Sequence, residues 1–299
     1  MKKLINLKSV SFLASFAFIF LIFSCSKEDS IQNESQKAYN ILMNELGYSA
    51  NNEHIKFVST NGRIDLTYFY DNTGKIMEEN SLLWFKKYIY DENGRLLKTE
   101  SAMDRSIFSS TYTAPRTEFM TSKNSVADRY SLYEYDMYGR LLKIENYFNV
   151  TGNGFEYRSM QTFEYDGSYV IKVNTHAQEG HITQFRVYTY DNHGNVANEK
   201  NYSNQIYQDE LMNETSYKYD NYKNPYRIFR ILGSPGLYTN VNNIIETRIT
   251  RHYEATGLSK YETNNSTYQY NMNGYPVNVK ERGSVFDYNY GSQNSVISD

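Results

Sequence analysis

Tyr88-Ile89-Tyr90-Asp91-Glu92-Asn93-Gly94-Arg95-Leu96 is the stretch that decides the fold. Side chains alternate across an extended chain with period two, so Tyr88 and Tyr90 share one face and Ile89 takes the other. Asp91 suits the first position of a type I turn, where its carboxylate accepts from the backbone two residues on. Gly94 supplies the positive φ that closes a hairpin with a one-residue bulge. Arg95-Leu96 then opens a return strand, and the whole stretch reads as one β-hairpin.

The same unit recurs along the chain. It reads Tyr68-Phe69-Tyr70-Asp71-Asn72-Thr73-Gly74-Lys75-Ile76, then Tyr133-Glu134-Tyr135-Asp136-Met137-Tyr138-Gly139-Arg140-Leu141, then Tyr188-Thr189-Tyr190-Asp191-Asn192-His193-Gly194-Asn195-Val196. Asp71, Gly74, Asp91, Gly94, Asp136, Gly139, Asp191 and Gly194 are the expected turn residues. Degenerate copies stand at Phe163-Glu164-Tyr165-Asp166-Gly167, at Tyr217-Lys218-Tyr219-Asp220 (with Asn224-Pro225 where Gly and a basic residue belong) and at Tyr268-Gln269-Tyr270-Asn271. A truncated Tyr288-Asn289-Tyr290-Gly291 follows them, and Tyr253 to Gly257 reads as one more. A lone hairpin is unstable in water, so the copies must pair side by side and share the tyrosine face.

Tyr-Asp-x-x-Gly-Arg-Leu resembles the signature of the YD repeats of Rhs-type proteins, over roughly Arg63 to Tyr290. The resemblance implies hairpins that build a long spiralling β-sheet. Tyr70 to Tyr90 and Tyr270 to Tyr290 are spaced by 20, but other copies are 25, 30 or 45 apart, and the core-processing segment and toxin domain of Rhs proteins do not follow. The pattern is closer to short YD-repeat-like lipoproteins of Bacteroidota. The expected fold is all-β: an antiparallel sheet of about sixteen strands over residues 55–291, strongly twisted or curled into an open barrel or a spiral. Residues 35–47 read as one short N-terminal helix, with Ala38, Ile41, Leu42 and Leu46 on one side and Gly47 as a stop, packed against the open end of the sheet. Residues 101–130 and 231–243 read as long loops, and Phe108, Tyr112, Phe119 and Tyr238 within them as contact residues.

The N-terminus carries an address. Met1 to Lys8 is a positive n-region and Val10 to Phe23 an apolar h-region, the pattern of a secretory signal too short for a comfortable membrane span. Leu21-Ile22-Phe23-Ser24-Cys25 resembles a bacterial lipobox, which implies cleavage after residue 24, diacylglycerol on Cys25 and a lipidated tether over 25–34. Ser26-Lys27-Glu28-Asp29 resembles the surface-export signal of Bacteroidota lipoproteins, and implies an outer-membrane lipoprotein facing outwards. A generic polar tether, facing the periplasm, is the other reading. Asp29-Ser30-Ile31 resembles the O-glycosylation motif of the same group, with Ser30 as acceptor.

Composition narrows the function. The chain holds 31 Tyr and 16 Phe against one Trp, with mean hydropathy -0.69 and a formal charge of -3. A slightly acidic chain lacks the concentrated positive charge that nucleic acid demands. One cysteine excludes a disulfide scaffold and a zinc ribbon. No HExxH, nucleophile elbow or Walker loop occurs, no set of metal ligands forms around His176 and His181, and no cofactor is expected. The Asp-x-x-Gly acids lack the spacing of a calcium loop. The residues between the paired tyrosines include Glu134, Thr189, Lys218 and Gln269, which disfavours a lipid-facing wall. The expectation is a non-enzymatic module that meets the membrane through its lipid and binds a glycan or a protein. A fragment of an Rhs-type shell (eight hairpins being too short a spiral to close around cargo) and an unrecognised envelope enzyme are the alternatives.

Overall fold

The computed structural model describes residues 54–108, 117–149, 152–205, 208–233, 235–253 and 256–290. The expected signal peptide (1–24), tether (25–34), helix (35–47) and tail (292–299) lie outside the described residues.

Sixteen strands run β1 (Phe57–Thr60), β2 (Arg63–Tyr70), β3 (Ile76–Ser81), β4 (Trp84–Tyr90), β5 (Leu96–Met103), β6 (Arg129–Tyr135), β7 (Leu141–Phe148) and β8 (Glu156–Asp166). They continue as β9 (Tyr169–His176), β10 (Ile182–Tyr190), β11 (Val196–Gln205), β12 (Gln208–Tyr219), β13 (Ile244–Tyr253), β14 (Leu258–Tyr270), β15 (Pro276–Glu281) and β16 (Ser284–Asn289). Each pairs antiparallel with its sequence neighbours, and β1 pairs with β16, so the sheet is a closed barrel. An open barrel or spiral was expected; the sheet closes instead, and no free edge remains between the first and last strands for a helix to cover. The expected all-β architecture of about sixteen strands stands.

Closure comes from a repeat split between the two ends of the chain. In an intact unit, Tyr68 lies opposite Glu79 and Phe69 opposite Glu78. Across the seam, Tyr288 lies opposite Val58 and Asn289 opposite Phe57, so β16 is the outgoing strand and β1 the return strand of an eighth hairpin. The turn ends of all the hairpins consequently share one rim. There, Asp71 Oδ1 accepts from the backbone N–H of Thr73 (2.8 Å) and Lys75 (2.9 Å), and Asp136 and Asp191 repeat the pattern. Gly74, Gly94, Gly139 and Gly194 hold φ between 74° and 88°, which L side chains adopt only with strain. The Asp91 carboxyl is held below its ordinary range, chiefly by the Arg95 backbone N–H and then by the Arg95 side chain.

Each YD turn is entered through a one-residue register shift at its second tyrosine. A bulge of this kind increases the local twist, which helps a wide sheet curl shut. The same tyrosine has a second task. Tyr70 donates to the Ile55 carbonyl (2.8 Å), Tyr90 to Ile76 (2.7 Å), Tyr135 to Leu96 (2.9 Å), Tyr165 to Leu141 (2.8 Å), Tyr190 to Val170 (2.7 Å), Tyr219 to Val196 (2.6 Å) and Tyr290 to Pro276 (2.9 Å). In the remaining unit Tyr268 takes this part, reaching Ile244 (2.8 Å), while Tyr270 donates to Asp220. Each hydroxyl thus fastens its strand to the start of the strand before it, and the ring of tyrosines forms a continuous inner girdle. Removing one hydroxyl by Tyr135→Phe keeps the ring packing and should cost about 1 kcal/mol. Chemical denaturation would show it, with Tyr138→Phe, at an exposed position, leaving the midpoint in place.

The barrel is plugged. Residues 224–242 are inserted into one YD turn, whose frame survives around them: Asp220 accepts from Asn243 N–H (3.0 Å) as Asp71 does from Lys75, and Asp220 N–H donates to the Asn243 carbonyl (3.1 Å). The insertion forms a short 3-10 helix, Pro225–Leu232, capped by the Asn224 side chain and ended by Gly233 at φ 78°. Tyr226 and Phe229 enter one core cluster with inward residues of seven neighbouring strands, β15, β16 and β1–β5, among them Tyr68 and Tyr88, so the insertion lies on the inner side of the wall. Phe229 stacks on Tyr68 (5.2 Å between ring centroids) and meets Tyr238 edge-on (5.7 Å). At its far end, a Cβ on Gly233 would run into the Leu141 side chain of β7. Tyr238 is therefore an interior packing residue and not the free contact residue expected from the loop composition.

Of the other long connection, between β5 and β6, the described residues 117–128 pack on the outside. Met120 closes a small cluster with the outward Phe85 and Ala102, and Ser122 donates twice to the Glu78 carboxylate (both 2.8 Å). Phe119 is buried there, again as packing. Tyr112 and the Phe108 side chain lie outside the described residues.

Candidate functional site

The alternation that sets the tyrosines inside sorts the whole wall into two faces. On the outer face, ion pairs cross from strand to strand: Lys143 to Glu134 (2.8 Å), Lys200 to Glu214 (2.7 Å) and Lys218 to Glu246 (3.2 Å), with Glu145 of the same strand also 2.9 Å from Lys143. On β14 the outward residues Tyr261, Thr263, Asn265, Thr267 and Gln269 are exposed, while Glu262, Asn264, Ser266, Tyr268 and Tyr270 between them are not. Aromatic residues do appear outside, towards the rim opposite the YD turns. Tyr130 stacks on Tyr147 (4.6 Å), Tyr147 meets Tyr157 (5.7 Å), and Phe185 stacks on Tyr202 (4.6 Å). Lysines border them, with Lys98 Nζ 4.5 Å from the Tyr130 ring and Lys172 Nζ 4.7 Å from that of Phe185.

The inner face changes character along the barrel axis. The level nearest the YD rim is the tyrosine girdle, and the next carries Tyr68, Tyr88, Tyr133, Phe163, Tyr188, Tyr217 and Tyr288 together with the plug. Burial pushes the hydroxyls up: Tyr133 and Tyr288 to about 12, and Tyr68, Tyr88 and Tyr226 well above the ordinary value. Two carboxylates interrupt this level. Glu79 is buried and accepts from the Tyr88 hydroxyl; burial raises its pKa against the opposing pull of Lys86 and that hydrogen bond. Glu199 is raised by burial and drawn back by Arg186, whose Nε lies 3.8 Å away. Glu79 on β3 and Glu199 on β11 are eight strands apart in a sixteen-stranded ring, on opposite walls.

On β6 to β12 the inward positions above that level turn polar, with Ser131, Asn146, Gln161, Thr175, Gln184, Arg186, Asn201 and Thr215, while Leu66, Ile249 and Phe286 make other parts of that level apolar. On β6 to β8 the polar groups satisfy one another, Ser131 donating to Asn146 Oδ1 (2.7 Å) and Asn146 to Ser159 Oγ (3.2 Å). On β10 and β11 they do not. Gln184 Oε1 and Asn201 Oδ1 are both buried and without a hydrogen-bond partner. The connections at this end include two-residue turns at Asn61-Gly62 and Arg282-Gly283, with positive φ at each residue. The inner face is thus aromatic around the plug and polar on β6 to β12 towards the opposite rim.

The structure places the expected turn residues together on the YD rim, away from the polar inward positions. Cys25, Ser26, Lys27, Glu28, Asp29 and Ser30 lie outside the described residues. Gln184, Arg186, Glu199 and Asn201 were not singled out from sequence, where their level of the repeat shows no recurring residue type. Among the described residues no three His, Cys, Asp or Glu side chains converge as metal ligands, and no helix is long and apolar enough to cross a membrane.

No family model matches the sequence, and no curated protein matches it. Solved structures similar to the chain include a porin-like protein from Bacteroides vulgatus, at 12% identity and TM-score 0.48, covering 80% of this chain and 99% of that one. A porin-like protein from Bacteroides uniformis is similar at 12% identity and TM-score 0.39, covering 83% of this chain and 99% of that one. The TcdB2-TccC3-TEV structure is similar at 15% identity and TM-score 0.28, over 72% of this chain and 10% of that chain.

Proposed function

We propose that this chain is an envelope lipoprotein, held by acylated Cys25 and displayed at the outer surface, whose barrel is a non-enzymatic module that binds a glycan or a protein. The observation that carries this reading is the charge on the outer wall. A Lys or Arg facing lipid at the bilayer midplane costs roughly 2–4 kcal/mol, and this wall carries Lys143, Lys200 and Lys218 in cross-strand ion pairs. Such a wall belongs in water, and the plug fills the interior that a pore would leave open. Membrane attachment then rests on lipid: each buried CH₂ contributes about 0.8 kcal/mol, so several acyl chains anchor stably.

Protease treatment of intact cells tests the placement. Wild-type protein should be shaved from the surface, Cys25→Ala should be released, and the combined Lys27→Ala, Glu28→Ala, Asp29→Ala variant should be retained inside and protected. Wild-type protein that resists shaving in intact cells but is cut after lysis faces the periplasm, and surface display then fails.

A further inference from the structure

We infer that the YD rim docks on the surface of the bilayer that holds acylated Cys25, through an exposed apolar arc of Leu97, Met137, Tyr138, Leu142 and Ile171 on β5 to β9. This rests on the lipoprotein reading and adds the face that the barrel turns to the membrane.

The arc grows out of the bulge beside each YD turn. There one residue of the return strand is skipped in the register, and it is apolar in each hairpin that carries the bulge: Leu97, Leu142 and Ile171, and likewise Met77, Ala197, Ile245 and Val277. Leu97 shows the position, standing between the buried Leu96 and Lys98, which pairs with Glu100 on the outer face. Leu97, Leu142 and Ile171 are exposed, and they stand on β5, β7 and β9, each two strands from the next. The turn between β6 and β7 adds Met137 and Tyr138 at its tip, 89% and 76% exposed. These side chains follow one another along one sector of the rim, and grouped apolar exposure of this kind marks a contact surface.

What covers the arc follows from where the chain arrives. Ile55 lies on this same rim, its carbonyl accepting from the girdle hydroxyl of Tyr70 (2.8 Å), and Cys25 stands 30 residues before it in sequence. Holding the opposite rim to the bilayer would draw those residues out along the barrel wall, at a cost in chain entropy that the YD rim does not incur. The charges near the arc are placed as an interface requires. Arg95 and Arg140 are paired within their own turns with Asp91 and Asp136 (both 2.8 Å), and the outer ion pairs of Lys98 and Lys143 begin one residue further from the rim than Leu97 and Leu142. Glu92 and Asp166, exposed on the turns to either side, bound the arc at headgroup depth, where charge costs little. Apolar side chains of a surface-bound protein reach about 5–10 Å into the boundary between headgroups and acyl chains. Tyr138 suits that boundary, with its ring in the apolar part and its hydroxyl in the polar part. The outer rings towards the opposite rim stack on one another beside lysines, and this orientation leaves them facing away from the membrane.

The test uses the mature acylated chain, purified from membranes and reconstituted in phosphatidylcholine vesicles whose acyl chains are brominated. Tyr138→Trp should add a blue-shifted emission that the brominated lipid quenches, over the signal of Trp84 that every variant shares. Tyr261→Trp, exposed towards the opposite rim, should add an emission that is not quenched. Leu97→Ser and Leu142→Ser, added to Tyr138→Trp, should remove most of its quenching and leave the thermal midpoint in place, since both side chains are exposed. Quenching at Tyr261→Trp alone would turn the barrel over, equal quenching at both would lay it on its side, and quenching at neither would stand it off the bilayer. Each of these results overturns the inference. So does a blue shift of Tyr138→Trp that appears without vesicles and grows with protein concentration, which would put a second copy of the chain on the arc. A mature chain with no acyl group on Cys25 would remove the lipoprotein reading and this inference together, whereas an acylated chain with Tyr138→Trp unquenched removes this inference alone.

Discussion

Alkali should open the barrel cooperatively, over a narrow interval beginning near pH 10. Tyr68, Tyr88, Tyr226 and Tyr290 are held well above the ordinary tyrosine range, and Tyr133 and Tyr288 are pushed up to about 12, in each case first of all by burial. The sign follows from proton binding. Above pH 10 an unfolded tyrosine gives up its proton and a folded one keeps it, so the unfolded state binds fewer protons and stability falls as pH rises. The contribution of these groups is fully present below the unfolded value and is lost on the way up through the folded one. Each adds a slope approaching about 1.4 kcal/mol per pH unit, and six together approach roughly 8, enough to exhaust an ordinary domain stability within about one to two units. Tyrosinate absorbance and far-ultraviolet circular dichroism, followed together, should change in one step. Full ionisation with the strand signal intact would mean that the inward tyrosines are wet, and the girdle would not be a core.

Phe229→Ala should have the largest effect of any single truncation in the plug. Phe229 is 1% exposed, stacks on Tyr68 and touches Tyr226 and Tyr238, so its removal leaves a void bounded on one side by the barrel wall. Loss of a buried phenylalanine costs about 3–5 kcal/mol, the upper part of that range applying where neighbours cannot collapse. A closed ring of hydrogen-bonded strands resists collapse more than a helix pair does. Urea unfolding should show the loss as a lower midpoint at unchanged slope, with Leu142→Ala as a comparison. Leu142 is the bulged residue of its hairpin and 44% exposed, so its truncation should stay within about 0.5 kcal/mol. A Phe229→Ala effect no larger than that would show that the insertion lies on the rim and not in the lumen.

The hairpins were readable because their signal is local: Asp and Gly at a fixed offset and tyrosines two apart state both a turn and a buried face. Closure was not readable. Its return strand, Phe57-Val58-Ser59-Thr60, has no turn before it, and it completes Tyr288-Asn289-Tyr290 from more than two hundred residues away in sequence. Eight hairpins, expected to make too short a spiral to close around a cargo, nevertheless close into a barrel. They close around the chain's own residues 224–242 and need no separate cargo. That plug was concealed inside a copy that looked degenerate, because Asn243 takes up the partnership with Asp220 after the insertion and not at the usual offset. The polar inward positions of β6 to β12 were the least readable part, since residues of that level share only an inward direction, and that follows from register.

The split repeat makes the chain's starting point a matter of convention. Linking Tyr290 to Ile55 through five residues of the Asp-x-x-Gly-Lys kind would rebuild the one missing turn, because Tyr70 is joined to Ile76 by the same number. New ends could then be opened in the turn at Gly139, where nothing packs within 4 Å of a built Cβ. Circular permutants cut at successive YD turns would share one architecture and differ only in which strand leaves the ribosome first. They would turn the ring into a device for asking whether the plug or the seam must arrive last.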